Sequence, residues 1–272
     1  MLELLTAKSF FMHFAPGINA GADEVTKKVD YAIKSERGLV RDKNEDSYAC
    51  YVAEEGWPLA FIVADGMGGH SKGELASKVA ADYCQERLSA DLGKIEQAEL
   101  LEALVLDTMQ KANIEVYLKS LEDQANSGMG TTLTLTVFYP TACYLGHIGD
   151  SRCYIMRKGI LEKISRDHTL VQEMQDAGTL TPEEGSTHPK RHILTQALGV
   201  PKYLSPEVLR LEIKKGDRFL LCSDGLHGYV AEELIADCLR KAKSAEACAD
   251  ELVRLAIDAG GLDNVTVAVI FL

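Results

Sequence analysis

Phe61-Ile62-Val63-Ala64-Asp65-Gly66-Met67-Gly68-Gly69-His70 decides how this chain is read. Its first four residues continue an apolar run from position 58, too short for a helix and rich enough in β-branched and aromatic side chains for a strand buried on both faces. The run then ends on an aspartate followed by bare backbone. Glycines after a strand let the main chain approach a ligand or another segment where a side chain would clash. A phosphate cradle is excluded. Gly68 and Gly73 have the spacing of one, but Glu74-Leu75 stands where Lys and Ser or Thr would have to grip phosphate and magnesium. A dinucleotide fingerprint is excluded too, because Ser71 occupies the place of its third glycine. What remains is Asp65, a carboxylate at a strand end beside open backbone, which is how a hard cation is met.

The composition suits that chemistry. The chain has 272 residues, 46% of them hydrophobic, and a formal net charge of −12. It has no long block of one charge, which argues against nucleic acid or an anionic membrane as partner. Seven cysteines, an odd number with no C-x-x-C pair, give neither a disulfide framework nor a zinc knuckle, and a reducing cytoplasm is the expected compartment. No apolar run reaches the roughly 20 residues of a membrane helix. The N-terminus lacks a basic leader, and residues 1–28 are expected to form a loose arm of no legible role. The folded domain is expected over 29–272.

Short strand-like runs lie at 29–34, 47–53 and 58–64. Two helical stretches follow, one opening at a Ser71-x-x-Glu74 capping box with Leu75, Val79 and Tyr83 along one face, the other over 96–121. Strands resume at 130–139, 142–147 and 152–157, joined by turns too short for a helical crossover, so their pairing is antiparallel. Residues 165–199 are polar and irregular, as a functional flap would be. A strand at 217–222, helices at 231–241 and 245–259, and a strand at 264–272 close the chain. Grouped strands and grouped helix pairs indicate an α+β fold with two stacked antiparallel sheets and helices outside.

Three more aspartates share the situation of Asp65. Asp150 follows Gly149 after an apolar run, Asp224 follows Phe219-Leu220-Leu221-Cys222-Ser223 and precedes Gly225, and Asp263 follows Gly260-Gly261-Leu262 before the last strand. One Asp-Gly pair is commonly only a turn. Four strand-end carboxylates meeting in a folded protein would repel one another unless cations neutralised them, and oxygen-only ligands favour Mg²⁺ or Mn²⁺ over Zn²⁺. Upstream, Arg41-Asp42-Lys43-Asn44-Glu45-Asp46 sets an arginine beside two acids on a turn. Glu45 and Asp46 are suited to holding metal-bound water, and Arg41 to forking onto a phosphate. His188-x-x-x-His192 mimics a zinc-helix spacing, but Pro189 and the missing glutamate exclude it. His147, His168 and His227 are read as packing or capping residues.

In seven ordered motifs the sequence resembles the metal-dependent protein Ser/Thr phosphatases of the PPM type, also called PP2C, in their bacterial form. The motifs are Arg41-x-x-Asn44-Glu45-Asp46-Ser47, Val63-Ala64-Asp65-Gly66-Met67-Gly68-Gly69-His70, Gly130-Thr131-Thr132, Gly149-Asp150-Ser151-Arg152, Asp167-His168, Ser223-Asp224-Gly225-Leu226 and Asp263-Asn264-Val265-Thr266. The resemblance implies a sandwich with a flap at about 165–199 and a site of two tightly bound Mn²⁺ or Mg²⁺ ions. In it Asp65 bridges the ions, Gly66 offers its carbonyl, and Asp224 and Asp263 bind one of them. Asp150 with Asp224 would hold a weaker third ion, and Arg41 would clamp the phosphate. Animal members carry a histidine proton donor directly after the Asp-Gly pair. Here Met67 stands there, so the leaving-group proton would come from water on the third ion or from His70. The implied activity is hydrolysis of phosphoserine and phosphothreonine in proteins, opposing a bacterial Ser/Thr kinase in signal transduction, by a monomer. The alternatives are a metal-dependent hydrolase of small phosphates or nucleotides and a non-catalytic phosphoprotein-binding relative.

Overall fold

A computed structural model describes residues 29–54, 56–68, 71–95, 99–201, 204 and 206–272. The arm at 1–28 and His70 lie outside the described residues. Strands β1 (Asp30–Glu36), β2 (Asp46–Val52) and β3 (Leu59–Met67) precede helices α1 (Ser71–Asp91) and α2 (Glu99–Glu122). Then come β4 (Gly130–Thr131), β5 (Leu133–Tyr139), β6 (Ala142–Ile148), β7 (Arg152–Arg157) and β8 (Ile160–Lys163), followed by the short flap helices α3 (Leu170–Asp176) and α4 (Pro182–Ser186). The chain ends with β9 (Glu207–Glu212), β10 (Arg218–Cys222), α5 (Asp224–His227), α6 (Glu232–Lys241), α7 (Ala245–Asp258) and β11 (Val265–Phe271). Among the described residues no helix is long and apolar enough to cross a membrane.

One sheet runs β1-β11-β10-β7-β8, the other β2-β3-β5-β6-β9 with β4 on β3, and every pairing is antiparallel. The two-residue period of a strand explains the layers. In β3, Phe61 and Val63 point between the sheets while Ala60, Ile62 and Ala64 point toward α1 and α2. In β11, Ala268 and Ile270 fill the middle layer while Val265, Val267 and Val269 meet α6 and α7. Both strands are therefore apolar on both faces, as the sequence indicated for β3. Edge-to-face rings cross the middle layer, from Tyr31 to Phe61 at 5.2 Å, Phe61 to Phe138 at 5.9 Å and Phe138 to Phe219 at 5.0 Å.

Small residues carry the most buried face of α1. Ala76, Ala80, Ala81, Cys84 and Leu88 are buried on the sheet, and Leu75, Val79 and Tyr83 flank them half-buried. Small residues let the helix axis come close to β2 and β3, so the contact is made by the least bulky stripe and not the most bulky. Strands β8 and β9 escaped the sequence reading because they are sheet edges with exposed charged positions, Glu162, Glu207, Arg210 and Glu212. Side-chain caps fix the starts of α4 and α7. Ser244 accepts from the Ala247 amide at α7, and Thr181 with Glu184 forms a capping box at α4.

Antiparallel pairing puts the end of β3, the start of β2, the β6–β7 turn, the end of β10 and the start of β11 at one end of the sandwich. That end carries the site. Because Phe138 lies in the ring ladder between the sheets and is fully buried, Phe138→Ala should cost about 3–5 kcal/mol in chemical denaturation.

Candidate active site

The centre of the site is a cross-strand pair of like charges. Asp46, first in β2, faces Asp65 near the end of β3. Such a pair is destabilising by itself, yet both are fixed firmly. The Asp65 amide donates to Thr132 Oγ1 at 2.9 Å, and the Asp65 carbonyl accepts from the Thr132 amide at 2.8 Å and the Thr131 hydroxyl at 2.9 Å. Asp46 Oδ2 accepts from the Ser223 hydroxyl at 2.7 Å, while its buried Oδ1 has no hydrogen-bond partner among the described residues.

The glycines of the opening stretch answer to close packing. A Cβ at Gly66 would lie 2.0 Å from the Gly73 carbonyl oxygen, and one at Gly73 would lie 2.7 Å from the Gly66 oxygen. Strand and helix thus cross on bare backbone, with the Gly66 amide donating to the Glu45 carbonyl at 3.1 Å. At the facing edge, Gly149 has φ +106°, and a Cβ there would strike Thr132 at 2.5 Å. A Cβ at Gly225 would lie 1.8 Å from the Asn264 carbonyl oxygen.

Asp65, Glu45, Asp150, Asp224 and Asp263 line one cavity of about 560 Å³, with Arg41 and Gly66. Burial and the charges of Asp46, Asp224, Asp150 and Asp263 hold the Asp65 carboxyl well above the usual carboxylate range. Burial pushes Asp46 up to about 7 and Asp150 up to about 8, with Asp224 adding repulsion to each. Asp224 is raised by burial and by Asp263, with His192, a hydrogen bond to Asp65 and Arg41 pulling it back. No three described Asp, Glu, His or Cys side chains close on a point as a ready-made metal cage. The fit to a divalent cation rests on the donor set, oxygen ligands of like charge around one cavity, of which Asp65, Asp150 and Asp224 are raised. Asp46 stands behind Asp65 and does not line that cavity.

Arg41 bonds Asp263 Oδ2 through Nη2 at 2.6 Å, so the expected phosphate clamp is engaged with an expected ligand at the cavity mouth. Asn264 holds the Arg41 loop in place. It accepts from the Glu45 amide at 2.8 Å and donates to the carbonyls of Arg37 and Lys43, each at 2.8 Å. Asp167 and His168 serve the Asp150 turn. Asp167 pairs with Arg152 at 2.7 Å and Lys163 at 3.1 Å, and His168 Nδ1 accepts from the Gly149 amide at 3.0 Å. His227 Nε2 donates to the Asp150 carbonyl at 2.9 Å, and burial depresses its ring to about 3, which keeps it neutral. Two side chains that sequence reasoning missed also line the cavity, Tyr229 and the flap residue His192, whose Nδ1 is 3.9 Å from Asp224. His192 came up only in a zinc-like spacing, and nothing local ties it to Asp224.

The protein phosphatase 2C pattern matches residues 39–257. The chain belongs to the protein phosphatase 2C family. It is 40% identical over 248 residues to the serine/threonine protein phosphatase PstP of Mycobacterium tuberculosis, covering 90% of this chain and 45% of PstP. It therefore spans less than half of that relative. The serine/threonine phosphatase stp of Listeria monocytogenes is 33% identical over 241 residues, covering 87% of this chain and 93% of stp. The crystal structure of Mycobacterium tuberculosis PstP superposes with a TM-score of 0.80 at 39% identity, over 90% of this chain and 98% of that one. A structure of the PstP catalytic domain in complex with two manganese ions has a TM-score of 0.78 at 37% identity, covering 89% and 97%. These members share the α+β sandwich seen here.

The raised carboxylates tie stability to pH. A buried acid whose pKa is lifted on folding costs nothing while protonated in both states, and its cost grows as pH rises from the unfolded to the folded value. For Asp46 that window runs from 3.8 to about 7. Metal-free Asp46→Asn should therefore be more stable than the parent by up to about 4 kcal/mol at pH 8, with the difference fading toward pH 4. Thermal melts in chelator across that range measure it.

Proposed function

We propose that this chain is a metal-dependent protein serine/threonine phosphatase of the 2C family, acting on phosphoproteins and opposing a Ser/Thr kinase. The observation that carries the reading is the convergence of Asp65, Asp150, Asp224 and Asp263 on one cavity beside Arg41. Asp65 would bridge two Mn²⁺ or Mg²⁺ ions, Asp224, Asp263 and the Gly66 carbonyl would complete their protein ligands, and Glu45 and Asp46 would hold their waters. Asp150 with Asp224 would take a weaker third ion. Bound there, the ions supply a water acidic enough to attack at neutral pH and offset charge on the phosphoryl oxygens.

The chain's own residues do the rest. Arg41 is half-exposed at the mouth, and its guanidinium can turn from Asp263 to two phosphoryl oxygens once Asp263 is otherwise engaged. Met67 lines the cavity where a proton donor would stand, and it has no proton to give. Thr132, bonded to Ser151 at 2.8 Å, ties the Asp65 and Asp150 turns together, so the two carboxylates keep their separation.

The test is hydrolysis of a phosphothreonine peptide with Mn²⁺, alongside nucleotides as competitors. Asp65→Asn, Asp224→Asn and Asp263→Asn should each lower kcat/KM by more than about 100-fold, the upper loss expected when a ligand's mere supporting partner is removed. Near-parental turnover in any of them would refute the assignment, and a preference for nucleotides would redirect it to small phosphates. In the same assay Arg41→Ala should raise KM roughly 10-fold with kcat little changed, since the arginine binds ground and transition state alike. A fall in kcat alone would contradict that role.

A further inference from the structure

Cys238 of α6 and Cys248 of α7 face each other with their sulfurs 3.5 Å apart, on the outer helix layer away from the carboxylate site. The two are unequal. Cys248 is fully buried, whereas Cys238 is half-buried and lines a separate cavity of about 360 Å³ between the helices. Of the other five cysteines, Cys84, Cys143, Cys153 and Cys222 are buried in the cores, and Cys50 is half-buried. Among the described residues no sulfur–sulfur hydrogen bond joins any of these five. We propose that Cys238 and Cys248 are a thiol–disulfide pair, with Cys238 the sulfur that meets a peroxide from the cavity and Cys248 the one that resolves it.

A disulfide needs sulfurs about 2.05 Å apart, so side-chain rotation must close the remaining gap. The chemistry balances in two steps. The Cys238 thiolate attacks one oxygen of hydrogen peroxide, the O–O bond breaks, and the products are a sulfenic acid and hydroxide, which takes the proton that Cys238 gave up. The Cys248 sulfur then attacks the sulfenic sulfur, the S–O bond breaks, and the hydroxyl leaves as water with the Cys248 proton. Two thiols and one peroxide give one disulfide and two waters. A dithiol reductant reverses the bond by exchange. The local environment supports this order. Cys238 Sγ also reaches the Cys248 carbonyl at 3.5 Å. The thiol–thiol hydrogen bond lowers Cys238 below the usual thiol value against burial and Glu251 while it raises Cys248, so the half-buried sulfur is the readier thiolate. Such a bridge would join the two helices that cover β10 and β11. Arg218 of β10 already donates to the Ala242 carbonyl between those helices at 3.0 Å.

The experiment treats the full chain with a small excess of hydrogen peroxide, counts free thiols after denaturation, and maps unreduced peptides by mass spectrometry. Thiols should fall from seven to five, with the peptide containing Cys238 joined to the one containing Cys248, and dithiothreitol should restore all seven. Cys248→Ser should leave a sulfenic acid at Cys238 that dimedone traps. Cys238→Ala, at the half-buried position and so the gentler change to the fold, should keep its six thiols under the same dose. Seven persisting thiols, a linkage through Cys50, or loss of thiols in Cys238→Ala would overturn the proposal.

Discussion

Two aspartates face each other across a pair of antiparallel strands, and the rest of the site is arranged around the cost of that contact. Asp46 and Asp65 sit where a like-charge pair should loosen a sheet edge, yet β3 continues inward as one of the best-buried strands in the protein, with the edge strand β2 half-buried beside it. The apolar middle layer, the ring ladder and the Thr131-Thr132 bonds to Asp65 hold the carboxylates in place against their repulsion. Stability gained in the core thereby offsets the crowding of acids at one end of the sandwich, a donor set suited to a divalent cation.

Contacts without side chains make that concentration possible. Gly66 against Gly73, Gly149 against Thr132 and Gly225 against Asn264 each bring two chain segments closer than any Cβ would allow. Each close approach draws an acid-bearing turn inward. The polar groups around them are committed to the same end: Ser223 to Asp46, Asn264 to the Arg41 loop, and His168 and His227 to the Asp150 turn. The histidines are neutral and buried, so they brace the turn without adding charge to it.

Much of this was legible in the chain because it is local. A strand buried on both faces shows as an unbroken apolar run, and an aspartate beside glycine at its end shows as an interruption of that run. Residues 58–65 carry both signals. The features that were not legible are long-range or depend on small residues. Asn264 reads as one more turn residue until its bonds to Arg37, Lys43 and Glu45 are seen. The flap brings His192 to Asp224 by a path with no sequence periodicity. The alanine stripe of α1 that packs on the sheet gives no apolar periodicity strong enough to notice, and the Arg41–Asp263 pair joins positions 222 residues apart.

Burial and mutual repulsion raise these acids, so a cation that binds among them should displace protons. Calorimetric titration of the metal-free chain with Mn²⁺ near pH 7, in two buffers of different ionisation enthalpy, tests it directly. With Asp46 raised to about 7 and Asp150 to about 8, binding should release protons, and the apparent heats should differ between the buffers accordingly. Binding with identical heats in both buffers, or no binding, would contradict it.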